Sequence, residues 1–186
     1  THEGQLSNPY RAIRYLSLSG LEQFGEEKYP NTRTTTAVAI DGRYFLPYRA
    51  AVHASYRFFS DTWGITARTA EIEYIHPWRK TWTFEASYRY HTQEAADFYS
   101  DLFPRPNYQN FQARDRNIST MNNRTIHLGV TYDLAQLQSW TWSSSWIEKG
   151  TVNLFFDHVV FDFEDFRDAR QSKTEFTSTP TAVGAE

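Results

Sequence analysis

The residues able to do chemistry fall into three sets, and the spacing of each set limits what it can do. The acidic run Asp157, Asp162, Glu164, Asp165 and Asp168 offers carboxylate oxygens to a hard cation such as calcium. It lacks the Asp-x-Asp-x-Asp-Gly order of a dedicated calcium loop, so the expectation is a solvated loop, or pairing with Arg167 and Arg170. His53, His91, His127 and His158 are imidazoles that a transition metal accepts. They fall on separate predicted strands with no pattern of supporting residues, which favours a hydrogen-bonded role inside a lumen. Ser87, His91 and Glu85 supply the nucleophile, base and acid types of a hydrolase. All three lie on one face of one strand, where residues two apart project in parallel and do not converge on a substrate. No nucleophile elbow or Gly-rich loop accompanies them. Cysteine is absent, which excludes a thiolate metal site, a cysteine nucleophile, a disulfide framework and a Cys-x-x-Cys-His haem attachment. The expectation is therefore a non-enzymatic protein with no catalytic, cofactor-binding or metal-ligating residues and no cofactor.

Two aromatic groups remain. Trp140, Trp142 and Trp146 could dock a partner, although interfacial anchors at one rim of the fold is the preferred reading. The segment Gln93 to Asn122 carries Phe98, Tyr99, Phe103, Tyr108 and Phe111. A loop so long and aromatic is usually functional or folded on itself, either plugging a lumen or binding an external partner.

The elements that must position these residues show in the composition and the periodicity. The 186 residues are 40% hydrophobic and 17% aromatic, with 6 Trp, 12 Tyr and 14 Phe. Such a ring content argues against disorder. A mean hydropathy of -0.66 argues against a transmembrane helix, since no run of about 18 apolar residues exists. The net charge of -3 lacks the basic excess that phosphate-backbone binding requires, which excludes nucleic acid as a partner.

The dominant signal is an alternation of apolar and polar residues with period two. In Trp82 to His91, Trp82, Phe84, Ala86, Tyr88 and Tyr90 take one face, and Thr83, Glu85, Ser87, Arg89 and His91 the other. Val52 to Phe58, Ala70 to Tyr74 and Thr125 to Asp133 repeat the pattern, with weaker copies at Val38 to Tyr44 and Thr151 to Asp157, where Phe155 breaks the rule. Six antiparallel strands are predicted. Short turns at Leu46 to Ala50 and His76 to Thr81, with the longer link Ala135 to Gly150, fall at one end. The polar segments Thr1 to Asn31, Gln93 to Asn122 and Asp165 to Glu186, with the short link Ser60 to Thr66, fall at the other. Short turns at one end and long loops at the other are the signature of an outer-membrane barrel. Rings gathered at strand ends, as at Tyr56 with Phe58, Trp82, Tyr88 with Tyr90, and Tyr132, match two membrane interfaces. The polar face carries Glu71, Glu73 and Glu85 against Arg57 and Arg89, a candidate cross-strand ion-pair network. A soluble β-sheet binding protein for an apolar ligand, a sandwich or lipocalin-like barrel, is the alternative, because it alternates in the same way.

The runs Ser7-Asn8-Pro9-Tyr10-Arg11, Asn31-Thr32-Arg33-Thr34, Ala54 to Ile65 (ASYRFFSDTWGI), Tyr88 to Tyr99 (YRYHTQEAADFY) and Phe161 to Asp168 (FDFEDFRD) add a second line of reasoning. In wording and order they resemble a bacterial family, the domain of unknown function three-five-seven-zero. The resemblance implies an antiparallel up-and-down β-barrel in the outer membrane of Gram-negative bacteria, with lipid or lipopolysaccharide around it and other envelope proteins as possible partners. It implies a setting beside cell-envelope redox systems, but no activity and no catalytic residues. It further implies strands before the Asn-Pro-Tyr-Arg run and a closing strand ending on an aromatic residue, so residues 1–186 are expected to be part of one barrel domain. Six strands leave two edges, which lipid does not tolerate, so further strands or a partner must close the sheet. The function expected on this basis is that of a pore, or of a scaffold for a cell-envelope complex.

Overall fold

The two-residue alternation does become strand pairing. The computed structural model describes residues 2–3, 11–134 and 150–167. Four short strands come first: β1 (His2–Glu3), β2 (Ala12–Leu16), β3 (Glu22–Glu26) and β4 (Thr32–Arg33). Six long ones follow: β5 (Thr35–Phe45), β6 (Ala51–Asp61), β7 (Thr66–Trp78), β8 (Trp82–Gln93), β9 (Met121–Asp133) and β10 (Thr151–Phe163). The long strands form one antiparallel meander in which each pairs with its neighbours in sequence. The protein is all-β. Its sheet is open, with β5 and β10 as edges among the described residues.

Three assignments differ from the sequence reading. The turn expected at His76 to Thr81 is shorter, because pairing of β7 with β8 continues through Trp78↔Trp82 and takes His76 and Pro77 into the strand. The segment Thr1 to Asn31, expected as loop, holds the hairpin β2–β3, and β1 pairs with β4. Neither strand of that hairpin alternates cleanly, since Ala12, Arg14 and Leu16 mix apolar with charged on one face and Glu22–Glu26 offers only Phe24 as a large apolar residue, so period two does not mark them. At Gly25 a Cβ would stand 3.2 Å from the Tyr15 ring, so the two strands pack closely there. The last strand, expected to stop at Asp157, runs on to Phe163, because its pairing with β9 continues through Phe163↔Met121 after the alternation has lapsed.

Pairing in continuous register sorts the side chains into two faces across all six strands. One face carries Val52, Ala54, Tyr56 and Phe58 of β6, Ala70, Ile72 and Tyr74 of β7, and Trp82 to Tyr90 in alternation on β8. It continues with Ile126, Leu128, Val130 and Tyr132 of β9 and with Val152, Leu154 and Phe156 of β10. No second layer covers it among the described residues: Ile72, Leu128 and Leu154 are 54%, 49% and 73% exposed.

The buried core lies elsewhere, at the end where β6 meets β7 and β8 meets β9. Trp63, Ile65, Ala96, Phe98, Ala113 and Ile118 form one cluster, with Tyr29, Phe59 and Tyr99 packed against it. The segment Gln93 to Asn122 is therefore folded on itself, as its ring content suggested. The hairpin β2–β3 is stitched to it by backbone bonds, Leu16 N–H to Phe103 O at 3.0 Å and Phe103 N–H to Arg14 O at 2.8 Å. Lys28 and Gln112 exchange a reciprocal pair at 2.8 and 2.9 Å. The result is a cap at one end of the sheet.

A buried carboxylate fixes the cap to the strands. The side chain of Asp61, at the end of β6, is 0% exposed. Its Oδ1 accepts from the backbone N–H of Trp63 at 2.9 Å and of Ile65 at 3.0 Å, and its Oδ2 accepts from Arg33 Nε at 2.7 Å. The Arg33 guanidinium lies 4.5 Å over the Trp63 ring, and Trp63 Nε1 donates to Thr32 O at 3.0 Å. The turn itself requires Gly64, at φ +85, where a Cβ would stand 2.2 Å from Asp97 Oδ1. Replacing Asp61 with Ala strands a guanidinium and two amide donors, and is expected to cost about 3–5 kcal/mol, read as lost resistance of residues 11–34 and 94–119 to proteolysis. Phe103, 1% exposed, fills the junction of hairpin and loop. Phe103→Ala is expected to destabilise the cap by about 3–5 kcal/mol and to speed amide exchange there, while the amides of β6 to β9 keep their protection.

Candidate functional site

The second face of the sheet is polar and lies under the cap, so it is where chemistry or binding has room to occur. Its residues form rows that the register defines. One row reads Arg43, His53, Glu73, Ser87, His127 and Asp157 from β5 to β10, and the next reads Asp41, Ser55, Glu71, Arg89, Thr125 and Val159. The third reads Ala39, Arg57, Thr69, His91, Asn123 and Phe161. Nearest the cap the row becomes largely apolar: Ala37, Phe59, Ala67, Gln93, Met121 and Phe163. That change has a structural cause. Phe59 packs on the cap core, Gln93 Nε2 donates to the carbonyls of Asn117 and Ser119 at 3.0 and 3.1 Å, and the Arg116 guanidinium lies 5.5 Å from the Phe163 ring. The row is the floor on which the cap sits.

Three of the four histidines take the hydrogen-bonded role expected of them. His53 bonds Asp41, with Glu73 Oε2 at 3.4 Å from its other ring nitrogen. His91 Nδ1 meets the Thr69 hydroxyl at 2.8 Å, and His127 Nδ1 meets Asp157 Oδ1 at 2.5 Å. His158 departs from the expectation, because its register partner is Ile126 and it stands on the apolar face. The four do not gather. His53 and His127 share a row but sit three strands apart, about 14 Å at the usual strand spacing.

The expected ion-pair network is rewired. Arg57 faces Ala39 and Thr69 across the strands, with no carboxylate opposite. Arg89 faces Glu71 in register, yet no ion pair joins them. The carboxylates of this face are instead engaged by histidine, as at Asp41–His53 and Asp157–His127. Ser87, His91 and Glu85 all project from the polar face of β8, but the His91 contact goes to Thr69 on β7, so the three do not form a relay.

The acidic run is dispersed in the same way. Asp157 faces the polar side, Asp162 lies on the other face near Arg124 at 4.0 Å, and Glu164 accepts from Asn122 Nδ2 at 3.0 Å. Asp165 accepts from the Thr120 N–H at 3.0 Å. Among the described residues no three acidic or histidine side chains are placed to share a metal ion. Asp168 and the tryptophans at 140, 142 and 146 lie outside the described residues.

Sequence reasoning missed the polar joints inside the cap, because their partners are distant in the chain. Glu27, 5% exposed, accepts from the Arg114 N–H at 2.9 Å and from the Tyr29 hydroxyl at 3.0 Å. Burial, then the Glu27 charge, pushes the Tyr29 phenol well above its ordinary range. Burial and Asp165 do the same for Tyr99, so both stay neutral donors. Asp101 joins three segments, accepting from Arg14 Nη2 at 2.6 Å, Arg114 Nε at 2.9 Å and the Arg167 N–H at 3.3 Å. The one signal available was the density of Arg and Asp within a loop too long to be plain linker.

Among the described residues, cavities open on the polar face at both of its ends. One of about 210 Å³ lies under the cap between β6, β7 and β8. The other, of about 250 Å³, lies at the short-turn end beside Arg43, Arg49 and His53. Both are lined by arginine and histidine.

Neither the curated proteins nor the solved structures compared with this chain gave a match. A family model does match, over residues 1–148, and it is described as "Protein of unknown function (DUF3570)". The matched span covers β1 to β9 with the whole cap, so the chain belongs to this family of proteins of unknown function.

Proposed function

We propose that the chain forms the strand wall of a non-enzymatic β-barrel in the outer membrane of a Gram-negative bacterium. Its polar face would turn to the lumen and its cap would cover the external mouth. The observation that carries this reading is the apolar face. A face of rings and aliphatic groups exposed across β5 to β10, among them Ile40, Tyr56, Ile72, Tyr88, Leu128 and Leu154, far exceeds the apolar patch a soluble monomer leaves in water, and a lipid-facing wall needs just such a band. On β8 the band runs from Trp82 to Tyr90, eight residue steps or about 27 Å along the strand, and about 20 Å once strands tilt as barrel strands do. Strands of 11 to 13 residues reach across a hydrocarbon core at that tilt.

The rims fit as well. At the short-turn end Trp82 packs on Tyr132 at 4.6 Å and on Phe84 at 6.3 Å, Trp78 on Phe84 at 6.3 Å, and the Arg79 guanidinium lies 4.7 Å over Trp78. Amphipathic rings with a nearby cation are what a headgroup layer favours. Towards the cap the band gives way to Arg68, Thr92, Asn122 and Asp162 in one row. In lipid the edges β5 and β10 must be paired, by further strands or by another chain. Lipid and lipopolysaccharide are then the partners of the apolar face, and the cap is the surface that would meet other envelope proteins. A barrel with a folded cap over one mouth serves as a gated pore or as a scaffold for an envelope complex.

A charge placed on either face separates this reading from a soluble sheet. Leu128→Arg, at mid-band, is expected to cost about 2–4 kcal/mol in folding into bilayers, whereas Ser87→Arg on the opposite face costs little. Recovery of the protein in a detergent-free soluble fraction, or an unchanged folding midpoint for Leu128→Arg, would overturn the membrane reading. Heat-modifiable gel migration and quenching of Trp82 fluorescence by lipids brominated near the headgroup are the results expected from it.

A further inference from the structure

The cavity under the cap is lined by Arg33, Arg57, Phe59, Ala67, Thr69, Arg89, His91 and Gln93. Its three guanidinium groups are not equivalent. Arg33 is neutralised by Asp61, with Nη2 to Oδ2 at 2.6 Å. Arg57 and Arg89 have no hydrogen bond or ion pair among the described residues, and Glu71, opposite Arg89 in register, does not reach it. They stand on β6 and β8 with β7 between, about 10 Å apart across the sheet and one side-chain repeat apart along it. Both side chains line the same cavity as Thr69, which stands on the strand between them.

The remaining lining suits an anion too. The Thr69 hydroxyl contacts His91 Nδ1 at 2.8 Å, and in the tautomer where Thr69 donates, His91 Nε2–H is left to donate to a guest. Gln93 turns its amide nitrogen to Asn117 and Ser119, so it supplies wall and no charge. Phe59, packed on the cap core, and the buried Ala67 form the side toward the cap.

We infer that this cavity is a binding site for a small oxyanion, with phosphate and carboxylate as the chemical class. Two guanidinium forks without carboxylate partners, flanking a polar cavity of about 210 Å³, present the planar donor pairs that bind such groups bidentately. The site is built from β6, β7, β8 and Arg33, so it stands whether or not the sheet is embedded in lipid. A free anion and the phosphate of a lipid headgroup present the same oxygens; the cavity lies on the face opposite the apolar one, which favours the free anion.

The test is calorimetric titration of the full chain with sodium phosphate, at constant ionic strength, in a non-ionic detergent free of phospholipid. Saturable binding is expected. Arg57→Gln with Arg89→Gln should weaken it at least tenfold, each single variant several-fold, and Arg57→Lys with Arg89→Lys by an intermediate amount, because charge is kept and the fork is lost. Arg68→Gln, the same loss of charge on the opposite face, should leave it unchanged. Near-ultraviolet circular dichroism checks folding, and if the double variant does not fold, the two single variants carry the comparison. Absence of saturable binding, full retention in the variants, or an equal loss in Arg68→Gln overturns the proposal. Adding phosphatidic acid to the micelles tests the source: displacement of bound phosphate by the lipid would overturn the free-anion assignment.

Discussion

Strand pairing in unbroken register is the constraint on which the rest of this protein depends. In an antiparallel sheet a slip of one residue exchanges the two faces, and here six strands hold one register from Thr35 to Phe163. Because of that agreement, Tyr74 stands beside Ala86 and Leu128 on one side, while Glu73 stands beside Ser87 and His127 on the other. A band of rings and a ladder of titratable groups then occupy opposite sides of a sheet one strand thick. Neither would exist if a single hairpin were out of step.

The cap solves a different problem. A single-layer sheet buries little of itself, and among the described residues almost all full burial is at the end where β6 meets β7 and β8 meets β9. Three buried or half-buried carboxylates, Asp61, Glu27 and Asp101, each bind segments far apart in the chain. A buried carboxylate is costly unless each oxygen finds donors, and each of these does so from arginine, tyrosine or backbone amides. The geometry of the cap is therefore set by polar joints, with the Trp63, Phe98 and Phe103 rings filling the space between them.

The polar face acquires its chemistry from what its charges fail to pair with. Histidine takes the aspartates of the ladder, and arginine is left over. A row of alternating charge reads, in one dimension, as a self-compensating network. In two dimensions the diagonal reach of each side chain decides the partners, so Arg57 and Arg89 come to flank a cavity. The membrane reading and the anion site draw on opposite faces of the same sheet and fail independently.

Period-two alternation is a local property, and it located β5 to β9, their faces and the two kinds of connection from the sequence alone. The family resemblance rested on loop-edge runs, which are local too. Where local signal ended, so did the reading. The hairpin β2–β3 mixes polar and apolar residues on both faces and so shows no period, and the extension of β10 to Phe163 is held by its partner strand and not by its own pattern. The same extension moved Asp157 and Asp162 to opposite faces, dissolving the acidic run as a site. Partners for Asp61, Glu27, the histidines and the arginines could be decided only by tertiary structure, because each depends on which residues the register and the cap bring within about 3 Å of one another. The sequence determined that this chain is a sheet with one apolar and one polar face; the fold decided which charges on the polar face are satisfied and which are left to bind something else.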